Sequence, residues 1–158
     1  MSSVLTLDPG AGNTGWAYWP SLSLDGDAQA PLEFDVWKTR GTWLAKVIAQ
    51  TRHLRDFVEE APETQIVIEG TETWLTSSRT IAAATRGDVN KLAFLVGALY
   101  VVAERAADEP PRVVKPSEWK GQMGKGAVDA RIKRRLGKRY PAHASDAVGL
   151  GLWLQGKL

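Results

Sequence analysis

Four residues, far apart in the chain, have the side chains and the neighbours for metal-assisted hydrolysis: Asp8, Glu69, His143 and Asp146. Asp8 closes the run Val4-Leu5-Thr6-Leu7 and is followed by Pro9-Gly10, while Glu69 closes Gln65-Ile66-Val67-Ile68. An acid at the end of a buried strand needs a partner, because an isolated charge is costly to bury. If the two strands are neighbours, both carboxylates meet at one end of a sheet, where like charges raise one another's pKa. An oxygen-ligated divalent cation, Mg²⁺ or Mn²⁺, removes that penalty. His143 and Asp146 are three positions apart, which places both on one face of a helix. Together the four could hold two ions about 4 Å apart, an arrangement that activates a water and stabilises the leaving oxygen in phosphodiester hydrolysis. Each also has a plainer role. Asp8 before Pro9-Gly10 forms turns well, Asp146 could face the free amides of a helix, and His143 could cap that helix or pack on Tyr140. Only the set points to chemistry.

The elements that must position these residues can be read from periodicity and punctuation. Val4 to Leu7 reads as a buried central strand, Thr14 to Trp19 as a second strand ended by Pro20, and Leu32 to Lys38 as a third, with Leu32, Phe34 and Val36 alternating with Glu33 and Asp35. A helix is expected from about Thr42 to Glu60, with Leu44, Val47, Ile48, Leu54, Phe57 and Val58 as one buried stripe. After Pro62 comes the strand Gln65 to Glu69. The longest periodic segment, about Ser78 to Ala107, reads as one helix roughly 40 Å long at 1.5 Å per residue. Its length and its small residues, Ala83, Ala84, Gly87, Ala93, Gly97 and Ala98, predict that part of it packs against a second copy of the chain, against the alternative of a wholly internal helix. Arg112 to Val114 is a short strand, Pro116-Ser117 opens a helical turn, and Gly121, Gly124 and Gly126 make the next stretch mobile. A basic helix follows from about Ala127 to Leu136, and a last one from Ala142 to Leu154, with Ala147, Leu150 and Leu154 facing the core. The pattern describes one α/β domain over residues 1–158, a mixed sheet with crossover connections flanked by helices.

Bulk properties set the bounds. The chain has 158 residues, 44% hydrophobic and 24% charged, and no Cys, which excludes disulfides, thiolate metal sites and Cys nucleophiles. The apolar stretch that stops at Asp8 is far too short for a signal core or a membrane span, so a cytoplasmic setting with no membrane partner is expected. The formal charge of +2 is unevenly spread: from Arg112 to Arg139 ten Lys or Arg stand against Glu118 and Asp129, a local net of +8 that leaves −6 for the rest. Such segregation suits a polyanion lying across one face, although a merely solvated basic surface would look the same.

With these residues in view, the chain resembles the RuvC-type Holliday junction resolvases. The resemblance runs nearly the whole length and rests on Leu7-Asp8-Pro9-Gly10 with Asn13-Thr14-Gly15, on Ile68-Glu69, on Val114-Lys115-Pro116-Ser117-Glu118-Trp119-Lys120 before the glycine-containing segment Gly121 to Gly126, and on Ala142-His143-Ala144-Ser145-Asp146-Ala147. It implies a ribonuclease H-like fold with a mixed five-stranded sheet. It implies a homodimer making paired incisions in a four-way DNA junction and leaving 5′-phosphate and 3′-hydroxyl ends. Two ions would be held per site, Asp8 touching both, Glu69 one, and Asp146 with His143 the other. Many members carry Asp where this chain has His143, a change that favours Mn²⁺ and leaves open whether His143 binds metal or manages a proton. Lys120 resembles the family's active-site lysine and Lys125 a second phosphate contact, with Lys115 beside them. Trp74 would face the junction centre and could stack on a base, while Arg79 and Arg86 could hold phosphates.

Three other readings compete. A YqgF-type nuclease acting on ribosomal RNA would share the fold, but the Lys-Pro-Ser-x-x-Lys stretch and the long helix favour the resolvase. A non-catalytic branched-DNA-binding protein would not need the intact acidic set. An actin-like phosphotransferase shares an Asp-x-Gly turn but requires a longer, two-lobed chain, and no Walker-type loop is present.

Overall fold

The computed structural model describes residues 3–72 and 87–158. Five strands form one sheet: β1 (Val4–Asp8), β2 (Asn13–Trp19), β3 (Glu33–Lys38), β4 (Gln65–Glu69) and β5 (Arg112–Val114), in the order β3-β2-β1-β4-β5. β1 lies at the centre, antiparallel to β2 and parallel to β4, and β5 is parallel to β4. Five helices are described: α1 (Trp43–Glu60), α2 (Asp88–Ala106), α3 (Pro116–Trp119), α4 (Lys125–Leu136) and α5 (Ala142–Leu154).

The continuous apolar runs of β1 and β4 arise because both faces of the sheet are covered. Leu5, Leu7, Ile66 and Ile68 point to one face, where they pack with Val47, Leu54 and Val58 of α1 and Leu95 and Leu99 of α2. Val4 and Val67 point to the other, against Ala147, Val148, Leu150 and Leu152 of α5 and Val128 and Ile132 of α4. Thr6 is the polar exception on that second face. Its hydroxyl donates to the Ala147 carbonyl at 2.8 Å and accepts from Trp19 Nε1 at 3.2 Å, which fixes α5 along β1. Truncating a fully buried Leu in such a core costs about 2–5 kcal/mol, so the two layers hold the strand ends in place.

Several expectations are corrected. The buried line of α1 runs through Val47, Gln50, Leu54 and Val58, so Leu44 and Ile48 fall on a flank, 59% and 42% exposed. Leu32 precedes β3 and is 65% exposed. The long helix is not continuous from Ser78: Gly87 has φ of 72°, a left-handed conformation that stops a right-handed helix, and α2 starts after it. Residues 78–86 lie outside the described residues. α4 begins at Lys125 rather than Ala127, so Lys125 and Gly126 belong to its first turn instead of a loop. Among the described residues no helix is long and apolar enough to cross a membrane.

Candidate active site

Asp8 and Glu69 are each the last residue of their strand. β1 and β4 are parallel neighbours, with Leu7 opposite Ile68, so one step further puts the two acids side by side at the same end of the sheet. The first turn of α5 closes on that end. Gly15 of β2 makes this possible, because any Cβ there would collide with the backbone of His143 and Ala144. His143 Nδ1 then stands 3.4 Å from Asp8 Oδ2, and Asp146 follows one turn along α5.

Two lysines enter from the other side. The short helix α3 delivers Trp119 and Lys120 to Glu69, where Lys120 Nζ donates to Oε1 at 2.9 Å and Trp119 Nε1 to Oε2 at 3.2 Å. The start of α3 is itself fastened to the stretch after β4, since Ser117 donates its backbone N–H and its hydroxyl to the Glu72 carboxylate at 3.0 and 2.9 Å. From the first turn of α4, Lys125 Nζ donates to Asp146 Oδ2 at 2.7 Å and to the Ala142 carbonyl at 2.6 Å. It also lies 3.8 Å from Asp129, which accepts from the Ser145 hydroxyl at 2.5 Å.

No protein-family model matches this sequence, and no curated protein matches it. Solved structures do. The chain is similar to the Thermus thermophilus RuvC structure with a TM-score of 0.67 and 19% identity, over 96% of this chain and 92% of that one. It is similar to T. thermophilus RuvC in complex with Holliday junction substrate with a TM-score of 0.68 and 19% identity, over 97% and 92%. The fold is that of RuvC. The expected ribonuclease H-like architecture, a mixed five-stranded sheet flanked by helices, is therefore the observed one.

Within this RuvC-like frame the electrostatics are those of acids crowded into a half-dry corner. Burial pushes the Glu69 carboxyl up to about 7, the charge of Asp8 adds to the rise, and Lys120 only partly offsets it. Burial also raises Asp8, opposed by its hydrogen bond to His143 and reinforced by Asp146. That same hydrogen bond raises His143 above its ordinary value. Asp8, Glu69 and Asp146 thus all feel one another's charge.

Whether these residues suit metal ions can be tested on this geometry. Among the described residues no three acidic or histidine side chains converge on one point closely enough to hold an ion. Each carboxylate is turned instead to a cationic or cation-forming neighbour: Asp8 to His143, Glu69 to Lys120 and Asp146 to Lys125. The donor chemistry nevertheless fits Mg²⁺ or Mn²⁺, being three carboxylates and one imidazole, and the rise of Asp8 and Glu69, due first to burial and then to the neighbouring acids, is a penalty that a bound cation would offset.

Of the residues singled out by sequence, Asp8, Glu69, Lys120, Lys125, His143 and Asp146 are brought to this corner. Lys115 is not; it is exposed before α3, its backbone N–H bound to Glu118 Oε1 at 3.1 Å. Trp74, Arg79 and Arg86 lie outside the described residues. Sequence reasoning missed Gln50, which is fully buried on α1, accepts from the Thr14 hydroxyl and reaches the Gly10 carbonyl at 3.4 Å. It thereby ties α1 to the turn that follows Asp8. A polar residue on the apolar line of a helix was the available signal. Trp119 was noticed only as part of a motif, whereas its indole N–H is a hydrogen-bond donor to Glu69.

Proposed function

We propose that the chain is a metal-dependent endonuclease that resolves four-way DNA junctions by paired symmetric incisions, leaving 5′-phosphate and 3′-hydroxyl ends. The observation that carries this reading is the meeting of Asp8 and Glu69 at the ends of adjacent parallel strands, with His143 and Asp146 of α5 closing on them. The shared fold of T. thermophilus RuvC, solved in complex with Holliday junction substrate, supports the choice of substrate.

Asp8 would be shared by two ions, Glu69 would complete one set, and Asp146 with His143 the other. When bound, Mg²⁺ or Mn²⁺ supplies an activated water and charge stabilisation at the leaving oxygen. The chain's own residues do the rest. Lys120, poised against Glu69, exchanges that carboxylate for the scissile phosphate and neutralises its growing charge. Lys125 does the same from the first turn of α4 for a neighbouring phosphate. His143 keeps Asp8 oriented through Nδ1 and can carry a proton at that nitrogen. Trp119 holds the Glu69 carboxylate in one rotamer, limiting its freedom to swing from the reacting centre.

Two sites are needed for two incisions, and α2 offers the surface for a homodimer. Phe94 and Val101 are 56% and 48% exposed, seven residues apart on one helical face, and between them Gly97 has nothing within 4 Å of where a Cβ would stand. A second copy of the helix can approach closely there.

The test is cleavage of a synthetic mobile four-way junction with end-labelled strands, in Mg²⁺ and separately in Mn²⁺. Paired nicks at symmetric positions in strands of like polarity are expected. Preferential cutting of structured RNA, or equal cutting of linear duplex, would overturn the proposal.

A further inference from the structure

Between α4 and the start of α5 lies an open cleft of about 610 Å³. It exists because the stripe of α4 that faces it carries Gly126 and Ala130, too small to fill it. Its rim carries two cations, Lys133 from the last turn of α4 and Arg139 from the connection to α5. Neither has an acidic partner within ion-pair distance among the described residues. The one acid in the cleft, Asp129, is already engaged by the Ser145 hydroxyl and by Lys125, so the two cations stand little opposed. Tyr140 forms a wall. Its ring packs edge-on against Phe34 at 4.6 Å and lies under Lys138, while its shielded hydroxyl has no partner among the described residues. Buried hydroxyls rarely stay unmet. Burial pushes that phenol up to about 12, so it remains a donor at neutral pH.

A concave site edged by guanidinium and ammonium donors, with its one acid already engaged, matches a tetrahedral oxyanion on a larger body. Because Asp129, Ser145 and Ala142 also adjoin Lys125 and Asp146, the cleft lies directly behind the candidate active site. We propose that this cleft is a phosphate seat for the DNA backbone, in which Lys133 and Arg139 grip a phosphodiester of the strand leaving the incision corner. This rests on the nuclease reading. It adds a contact that fixes how far the strand extends past the cut, and its role is grip rather than chemistry.

The experiment measures binding of a fluorescent four-way junction in chelator, by anisotropy over a salt series, for wild type, Lys133→Ala/Arg139→Ala and Ala130→Glu, each checked for folding by circular dichroism. Loss of one phosphate contact should flatten the slope of log K against log salt by about 0.9. Ala130→Glu, which sets a carboxylate in the cleft without touching either cation, should weaken binding several-fold, and Ala130→Gln should not. Unaltered slope and affinity in both variants would overturn the proposal while leaving wild-type cleavage, and thus the nuclease reading, intact. If wild type itself fails to bind junctions, the parent reading is what fails. A melting temperature raised by millimolar inorganic phosphate in wild type but not in the double variant, with junction binding equal in the two, would assign the seat to a free anion and overturn the DNA role.

Discussion

Replacing Glu69 by Gln should make the metal-free protein more stable at alkaline pH while abolishing cleavage. The carboxyl is raised from 4.5 to about 7 in the folded chain, chiefly by burial and then by Asp8. Between those two values the folded state holds a proton that the unfolded state has lost. The stability associated with that proton is fully present below about 4.5 and is lost as pH rises through 7. A difference of roughly 2.5 units, at 1.36 kcal/mol each, corresponds to about 3 kcal/mol of destabilisation carried by ionised Glu69 above pH 8. The side chain is only 10% exposed, so solvent screening takes little from this figure. Gln keeps a carbonyl acceptor for one of the two donors, Trp119 or Lys120, and never ionises. In thermal melts with chelator, the two proteins should therefore coincide near pH 5 and separate through pH 6 to 7. Above pH 8 the variant should melt higher, by on the order of 5–10 °C for a chain of this size. Adding Mn²⁺ should close the gap from the wild-type side, because the ion supplies the charge that the crowded acids need. A gap of equal size at pH 5 and pH 8, or a variant that melts lower at pH 8, would refute this account of the corner.

Other outcomes follow from single contacts. Gln50→Leu strands the buried Thr14 hydroxyl and should cost about 1–3 kcal/mol in urea denaturation, whereas adding Thr14→Val should restore most of it; additive losses would deny the pair. Lys125→Met removes the group that occupies Asp146, so Mn²⁺ affinity measured by calorimetry should rise several-fold, and a fall would place Lys125 outside any competition with metal. Phe94→Glu puts a charge on the exposed face of α2 and should convert a dimer to a monomer in light scattering; a wild type that is monomeric at micromolar concentration would remove the proposed interface.

Much of the fold was legible because its signals are local. Gln65–Glu69 is bounded by Pro62 and Gly70 around an unbroken apolar core, and Ala142–Leu154 by Pro141 and Gly156, so both elements stand where the sequence puts them. With the two acids at strand ends, their meeting needed only that β1 and β4 be neighbours. What was not legible depends on the third dimension. Gly87 reads as a tolerated helical glycine until its left-handed φ is known, and Leu44 and Ile48 look like core until the line through Val47, Gln50 and Leu54 shows which flank they occupy. The pairing of Lys120 with Glu69, 51 residues away, has no sequence period at all. Nor could periodicity tell that the lysines read as phosphate contacts would also neutralise the acids in the metal-free chain.

The most direct test of the central claim is a count of Mn²⁺ ions bound per chain at pH 8, by electron paramagnetic resonance titration of wild type and Asp8→Asn. Two ions on wild type, with at least one lost from Asp8→Asn while its circular dichroism is unchanged, is the result predicted. A wild type that takes up no Mn²⁺ at millimolar concentration, or an Asp8→Asn protein that binds the same number equally well, would contradict it.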